Sequence, residues 1–267
     1  MPLTFKPLHP LFAAEASAVL LKDTFDAETL AEIRGGMDRH AVLVFRDQAF
    51  TDEEEMDFAR RLDGELHAKP GSAAINKNRL GTEAIADISN VGGGGEILEK
   101  DDRRRLYGLG NRLWHTDASF QDPAGRYSML NARVLPPVGA DTLFCDQRAA
   151  YDALDDAMQA SLEGLTCHHS LAHSRQTLGF EFSAEELEKL KGAYHPLVRS
   201  LPRAGRKSLY LASHAARIME MGVPEGRLLI WELMQHAVRP EFVYAHQWRD
   251  GDLVIWDNRC TMHRATP

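Results

Sequence analysis

Cysteine is scarce in this chain, and what there is does not cluster. Cys145, Cys167 and Cys260 are odd in number and widely spaced, with no Cys-x-x-Cys pair. That excludes a disulfide framework or a cysteine-based zinc module and fits a reduced compartment. Long apolar runs are missing as well. The most apolar N-terminal stretch, residues 12–21, is interrupted by Glu15, so neither a membrane span nor a signal-peptide core is read, and a cytoplasmic setting is expected. Basic charge is also short. With 31 Lys and Arg against 39 Asp and Glu the net charge is −8, which argues against a nucleic-acid binder and obliges any anionic ligand to find a local basic cluster. The motifs of two large enzyme classes are absent too. There is no Gly-x-Ser-x-Gly elbow; Gly108-Leu109-Gly110 lacks a third glycine, and Gly205-Arg206-Lys207-Ser208 lacks the adjacent Gly-Lys of a P-loop.

What is present suits one large domain spanning residues 1–267, with 44% hydrophobic residues available for a core. Asp26 is placed to cap a helix carrying Leu30, Ile33 and Met37, whose end Gly35-Gly36 weakens. Residues 3–12, with two prolines, are expected to lie along the surface. A strand follows at 41–45, then a capping box from Thr51 to Glu54. Residues 84–89 read as a strand. Residues 90–110, with four consecutive glycines and a charge cluster, read as a mobile loop, either a solvated surface loop or a lid that would close over a site. Further strands are expected at 127–134, 141–145, 166–171, 195–201 and 208–212, and a closing hairpin at 242–248 and 252–256. Helices are expected at 148–163, interrupted near Asp155, after the capping box at Ser183, and from Pro224. Many short strands without glycine-punctuated strand–helix units make the fold class mainly β with helical insertions, a sandwich or barrel rather than a doubly wound sheet.

The chemistry concentrates around Trp114-His115-Thr116-Asp117. Of twelve histidines, only His115 is followed two residues later by an acid. On an extended segment both side chains project from one face. His263 stands in the closing segment, and two histidines with one carboxylate form the facial triad of non-haem Fe(II) oxygenases. The same donors also bind zinc, and an isolated His-x-Asp also occurs as a simple hydrogen-bonded pair, so the residues alone define a metal site without naming its metal.

The wording around these residues carries a resemblance. Asn111-Arg112-Leu113-Trp114-His115-Thr116-Asp117-Ala118-Ser119-Phe120, Gly139-Ala140-Asp141-Thr142, and Gly251-Asp252-Leu253-Val254-Ile255-Trp256-Asp257-Asn258-Arg259-Cys260 with His263-Arg264 resemble the taurine/2,4-dichlorophenoxyacetate dioxygenase family. The similarity runs from His9 to the last residue. The segments beginning at Ala86, Arg126 and Asp146 bring it closer to the phenoxyacetate branch. The resemblance implies a double-stranded β-helix, or jelly roll, using Fe(II), 2-oxoglutarate and O2. It implies His115, Asp117 and His263 as iron ligands and Thr142 and Trp248 as 2-oxoglutarate contacts. The substrate is expected to be a small anionic organic molecule, an aryloxyalkanoate such as 2,4-dichlorophenoxyacetate. The alternatives are taurine, a sulfonate or another small carboxylate, or a metal-binding jelly roll without oxygenase activity.

Asn90, Lys77 and His214 are candidate substrate contacts, with Arg79, Lys100 and Arg103 as further basic candidates and His168, His169, His173, His195 and His246 as further histidines. A homo-oligomer is expected. The family's arginine for the distal 2-oxoglutarate carboxylate falls ten to fifteen residues beyond the second histidine, so it is expected past Pro267 on a longer native chain; Arg264 is too close to be that residue.

Overall fold

The computed structural model of the chain describes residues 2–17, 19–66 and 84–267. Two facing sheets form its centre. The larger runs Phe5–Pro7, Ala14–Ala16, Val42–Phe45, Leu253–Asp257, Tyr127–Asn131, and only Ala14–Ala16 and Val42–Phe45 pair parallel. The smaller runs Val243–His246, Thr142–Asp146, Thr261–Ala265 and is antiparallel throughout. In each sheet C-terminal strands lie directly against strands from much earlier in the chain, in keeping with the jelly roll expected.

Side-chain alternation divides the packing into layers. Val42, Val44, Val254 and Trp256 turn inward to meet Phe144 of the smaller sheet and Phe12. Their neighbours Leu43, Phe45, Leu253 and Ile255 turn outward onto Leu30, Ile33 and Met37 of helix Ala27–His40 and Phe58 and Leu62 of helix Asp52–Asp63. Behind the smaller sheet, Cys145 and Met262 pack with Ala149 and Ala150 of helix Gln147–Asp152 and with Ile230, Leu233 and Ala237 of helix Val223–Ala237. Covered on both faces, Val42–Phe45 and the first four residues of Leu253–Asp257 read as continuous apolar runs rather than alternating ones. A third sheet, Ala215–Ile218, Thr166–His169, Ala193–Pro196, and the hairpin Val198–Leu201 with Arg206–Leu209 flank this body.

The local signals hold where they are strongest. Asp26 accepts the Thr29 N–H, Asp155 caps Asp156–Leu162 after the expected interruption, and both capping boxes form. Five expectations change. The closing hairpin does not form: Val243–His246 pairs with Thr142–Asp146 in the smaller sheet, while Leu253–Asp257 crosses to the larger one between Val42–Phe45 and Tyr127–Asn131. Residues 3–12 do not simply lie on the surface: the left-handed φ of 59° at Ala13 reverses the chain, Phe5–Pro7 pairs with Ala14–Ala16, and Phe12 is buried. Residues 84–89 form no strand. The expected loop 90–110 is helical from Arg103, in Arg103–Gly108 and Leu109–Arg112, with Arg103 ion-paired to Glu186. The Ala27–His40 helix runs straight through Gly35-Gly36.

The two glycines have different reasons to be there. A Cβ on Gly36 would stand 2.6 Å from the Phe5 ring, whereas one on Gly35 would meet nothing within 4 Å. Mid-helix glycine costs about 0.5–1 kcal/mol relative to alanine. Gly35→Ala is therefore expected to raise unfolding stability by about that amount, and Gly36→Ala to gain nothing or lose. Urea denaturation midpoints check this, and equal gains for both variants would contradict the packing.

Candidate active site

The site forms where the last strand, Thr261–Ala265, meets the His-x-Asp segment. The turn that carries the chain from Leu253–Asp257 in the larger sheet to Thr261–Ala265 in the smaller one is braced locally: Arg259 Nε and Nη2 donate to Asp257 at 2.9 and 2.6 Å, and the Thr261 hydroxyl donates to Asp257 O at 2.8 Å. Strand alternation then sends Met262 outward into the helical layer and His263 inward, its ring 4.7 Å from Trp256 and 5.9 Å from Phe144.

His115 and Asp117 do not sit on a full strand, which corrects the expectation. Only one bridge forms, between His115 and His263, with His115 N–H to His263 O at 3.0 Å and the reverse bond at 2.8 Å. Ala118 takes a left-handed φ of 53° and turns the chain away immediately afterwards. The segment is nevertheless held extended at the critical residues. Buried Thr116 places its Oγ1 3.0 Å from Leu211 O and 2.9 Å from Thr261 O. Same-face projection of i and i+2 survives.

The three donors converge as a result. His115 Nε2 lies 3.7 Å from Asp117 Oδ1, His263 Nε2 lies 3.7 Å from Asp117 Oδ2, and the imidazole centroids are 4.1 Å apart. All three donor atoms fall within 4.8 Å of one another. Such separations are too long for hydrogen bonds and short enough for one shared ion with bonds of roughly 2.1 Å. The Leu113 carbonyl, 2.8 Å from His115 Nδ1, fixes the N–H there and turns the Nε2 lone pair inward. Two imidazoles and one carboxylate on one face match an Fe(II) centre with open positions.

Other candidates distribute differently. Thr142 and Trp248 are brought together, Trp248 Nε1 donating to Thr142 Oγ1 at 3.0 Å. Thr142 lies two residues before inward-facing Phe144, on the same side of its strand and about 7 Å along it. His214 is buried beside the triad. Its ring is 6.2 Å from that of His115 and 5.0 Å from Phe120, and its Nδ1 is 3.0 Å from the Ser119 hydroxyl. Burial first, then the nearby His115 and Arg175, hold its pKa well below the ordinary histidine value, so it is neutral.

Asn90 is exposed, its carbonyl bonded to Leu98 N–H, and among the described residues no contact joins it to the triad. Lys77 and Arg79 lie outside the described residues. Arg103 is taken up by Glu186, and exposed Lys100 lends only its carbonyl, to Arg105. His246 is held between Asp252 and Tyr244, and His168 by Lys191 O. Two residues at Asp117 went unread in the sequence: Ser128 and Asn258. The available signal was Ser128 itself, a small hydroxyl in the strand Tyr127–Asn131 that pairs with Leu253–Asp257.

A jelly roll with this triad on its inner face defines the class of non-haem metal oxygenases. The sequence matches the Taurine catabolism dioxygenase TauD, TfdA family over residues 4–267, and the chain belongs to that family. It is 43% identical over 267 residues to the alpha-ketoglutarate-dependent 2,4-dichlorophenoxyacetate dioxygenase of Cupriavidus pinatubonensis, covering 99% of this chain and 92% of that protein. It is 36% identical to the (S)-phenoxypropionate/alpha-ketoglutarate-dioxygenase of Sphingobium herbicidovorans, covering 98% and 88% respectively. Among solved structures, AAD-2 in complex with Mn(II) and N-oxalylglycine matches with a TM-score of 0.95 at 45% identity, covering 100% of this chain and 93% of that one. The chain is accordingly an enzyme of the 2-oxoglutarate-dependent dioxygenase class.

A second buried group of rings lies beyond His214. His169 is wholly buried, 5.7 Å from His195 and 5.2 Å from Tyr210, and neither ring nitrogen has a protein partner among the described residues. Burial foremost, then His195 and Arg199, push its pKa down to about 3. The unfolded chain binds this proton near pH 6.5 and the folded one does not, so stability falls as pH drops below about 6.5. His169→Phe is expected to flatten that acid-side loss by up to about 1.4 kcal/mol per pH unit. Urea midpoints at pH 7 and pH 5 measure it; an unchanged pH slope in the variant would assign the acid sensitivity elsewhere.

Proposed function

We propose that the enzyme hydroxylates the ether-adjacent carbon of an aryloxyalkanoate such as 2,4-dichlorophenoxyacetate, with His115, Asp117 and His263 holding Fe(II) and residues 1–267 serving as one catalytic domain. The observation that carries this is the convergence of the three donors within 4.8 Å on the inner face of the jelly roll. The 43% identity to a 2,4-dichlorophenoxyacetate dioxygenase supports the substrate class.

When bound, Fe(II) with 2-oxoglutarate and O2 supplies an oxidant that inserts one oxygen atom into a C–H bond and leaves succinate and CO2. The chain's own residues hold, orient and shield. The Leu113 carbonyl fixes the His115 tautomer at 2.8 Å. Because the Trp248 indole N–H donates to Thr142 Oγ1, the Thr142 hydroxyl hydrogen is turned toward another acceptor, which suits a 2-oxoglutarate carboxylate. Neutral His214 beside His115, with the Phe120 ring packed against it, suits a substrate with a polar head and an aryl body. Buried Phe144 and Trp256 around His263 exclude water. Hydroxylation of the Ar–O–CH2 carbon gives a hemiacetal, which collapses to a phenol and an aldehydo-acid, or a keto-acid from a branched substrate.

Three buried free thiols support the reduced cytoplasmic setting, and among the described residues no helix is long and apolar enough to cross a membrane. Leu228 and Trp231, exposed one turn apart on helix Val223–Ala237, support a homo-oligomer.

Oxygen uptake and succinate release across a panel of phenoxyacetate, phenoxypropionate, taurine and an alkyl sulfate test the reading. Aryloxyalkanoate-dependent succinate, one per phenol, is expected, with Asp117→Ala at least about a hundredfold slower at saturating Fe(II). Turnover restricted to taurine or the sulfate would overturn the substrate. Full activity in folded Asp117→Ala would overturn the ligand set.

A further inference from the structure

Asn258, wholly buried in the turn after Leu253–Asp257, has an amide whose orientation is determined by its neighbours. Its Oδ1 lies 3.1 Å from Asp117 N and 3.2 Å from Trp256 Nε1, and both of those groups only donate. The amide nitrogen therefore faces Ser128 Oγ and donates to it at 2.8 Å. Since Ser128 Oγ accepts there, its own hydrogen goes to Asp117 Oδ2, 2.8 Å away. The donors thus run in one direction, from Asn258 through Ser128 onto the carboxylate.

The carboxylate needs that direction because its two oxygens are otherwise equivalent. Oδ1 lies 3.7 Å from His115 Nε2, and Oδ2 lies 3.7 Å from His263 Nε2. We propose that Asn258 and Ser128 are positioning residues that hold Oδ2 and present Oδ1 alone to the metal, so that Asp117 occupies one coordination position instead of two. The proposal rests on the reading of His115, Asp117 and His263 as ligands. Its consequence is functional: a facial triad leaves three positions, two for a chelating keto-acid and one for O2. A carboxylate turning both oxygens to the ion would fill the third. The same chain of bonds ties Asp117 to Trp256, whose ring packs 4.7 Å from His263, so the metal-facing groups of two distant segments are set together.

The test is a Co(II) titration of metal-free enzyme, followed by d–d absorption, in the wild type, Ser128→Ala, Ser128→Thr and Asp117→Ala. Ser128→Ala is expected to weaken Co(II) binding about 10–100-fold, as loss of such an outer partner does, and to change the absorption spectrum, while the metal-free protein melts as the wild type does. Ser128→Thr restores the hydroxyl and is expected to restore both. If Ser128→Ala does not fold, Ser128→Val against Ser128→Thr, which differ only in the hydroxyl, carries the same comparison. Co(II) affinity within about threefold of wild type and an unchanged spectrum in the hydroxyl-free variant would overturn the proposal. If Asp117→Ala loses Co(II) in that case, the positioning role alone fails; if Asp117→Ala also binds normally, the ligand reading fails with it.

Discussion

The site depends on one two-way backbone bridge. His115 and His263 exchange N–H to carbonyl bonds at 3.0 and 2.8 Å, joining a short extended segment to the edge of the smaller sheet. The ladder makes the register strict: a slip of one residue would turn His263 outward into the helical layer and Met262 inward. Everything that stiffens the neighbourhood protects this register. Thr116 sits against carbonyls of two segments, Arg259 braces the turn between the two sheets against Asp257, and Asn258 links that turn back to Asp117 across 141 residues of sequence.

Charge around the bridge is handled by pairing and by neutrality. Arg148 and Asp146 form a bidentate pair with side chains 1% and 0% exposed, just behind the smaller sheet. Breaking a pair so buried from one side costs about 3–5 kcal/mol. The inner histidines take the other route. His169 and His214 stay uncharged because burial makes the imidazolium too costly, so neither competes with a cation for Asp117, and the fixed positive charge that Asp117 feels from this side is that of buried Arg175. That division suits a centre that must bind a cation and anionic ligands in one small space.

How much of this was readable beforehand follows from the range of each interaction. Helix starts at Asp26, Thr51 and Ser183 were legible because a cap is decided within four residues. The triad was legible because its residue types and spacing are restricted by coordination chemistry. The helix through Gly35-Gly36 was not, since the reason for Gly36 is the Phe5 ring from a distant strand. Nor was the isolated bridge at His115, where a positive φ at Ala118 ends what periodicity alone extends. For Ser128 a hydroxyl within a strand is the whole local signal and for Asn258 there is none; their role exists only once two strands lie side by side. Thr142 and Trp248 came from family wording, and their mutual hydrogen bond was not foreseeable from spacing across 106 residues.

The most direct measurement is anomalous diffraction from a crystal grown or soaked with Mn(II). One strong peak is expected within about 2.3 Å of His115 Nε2, of His263 Nε2 and of a single Asp117 oxygen. A peak at the His169, His195 and Tyr210 cluster, or no ordered peak near Asp117 at saturating Mn(II), would contradict the account of this fold as a scaffold for one His-Asp-His metal centre.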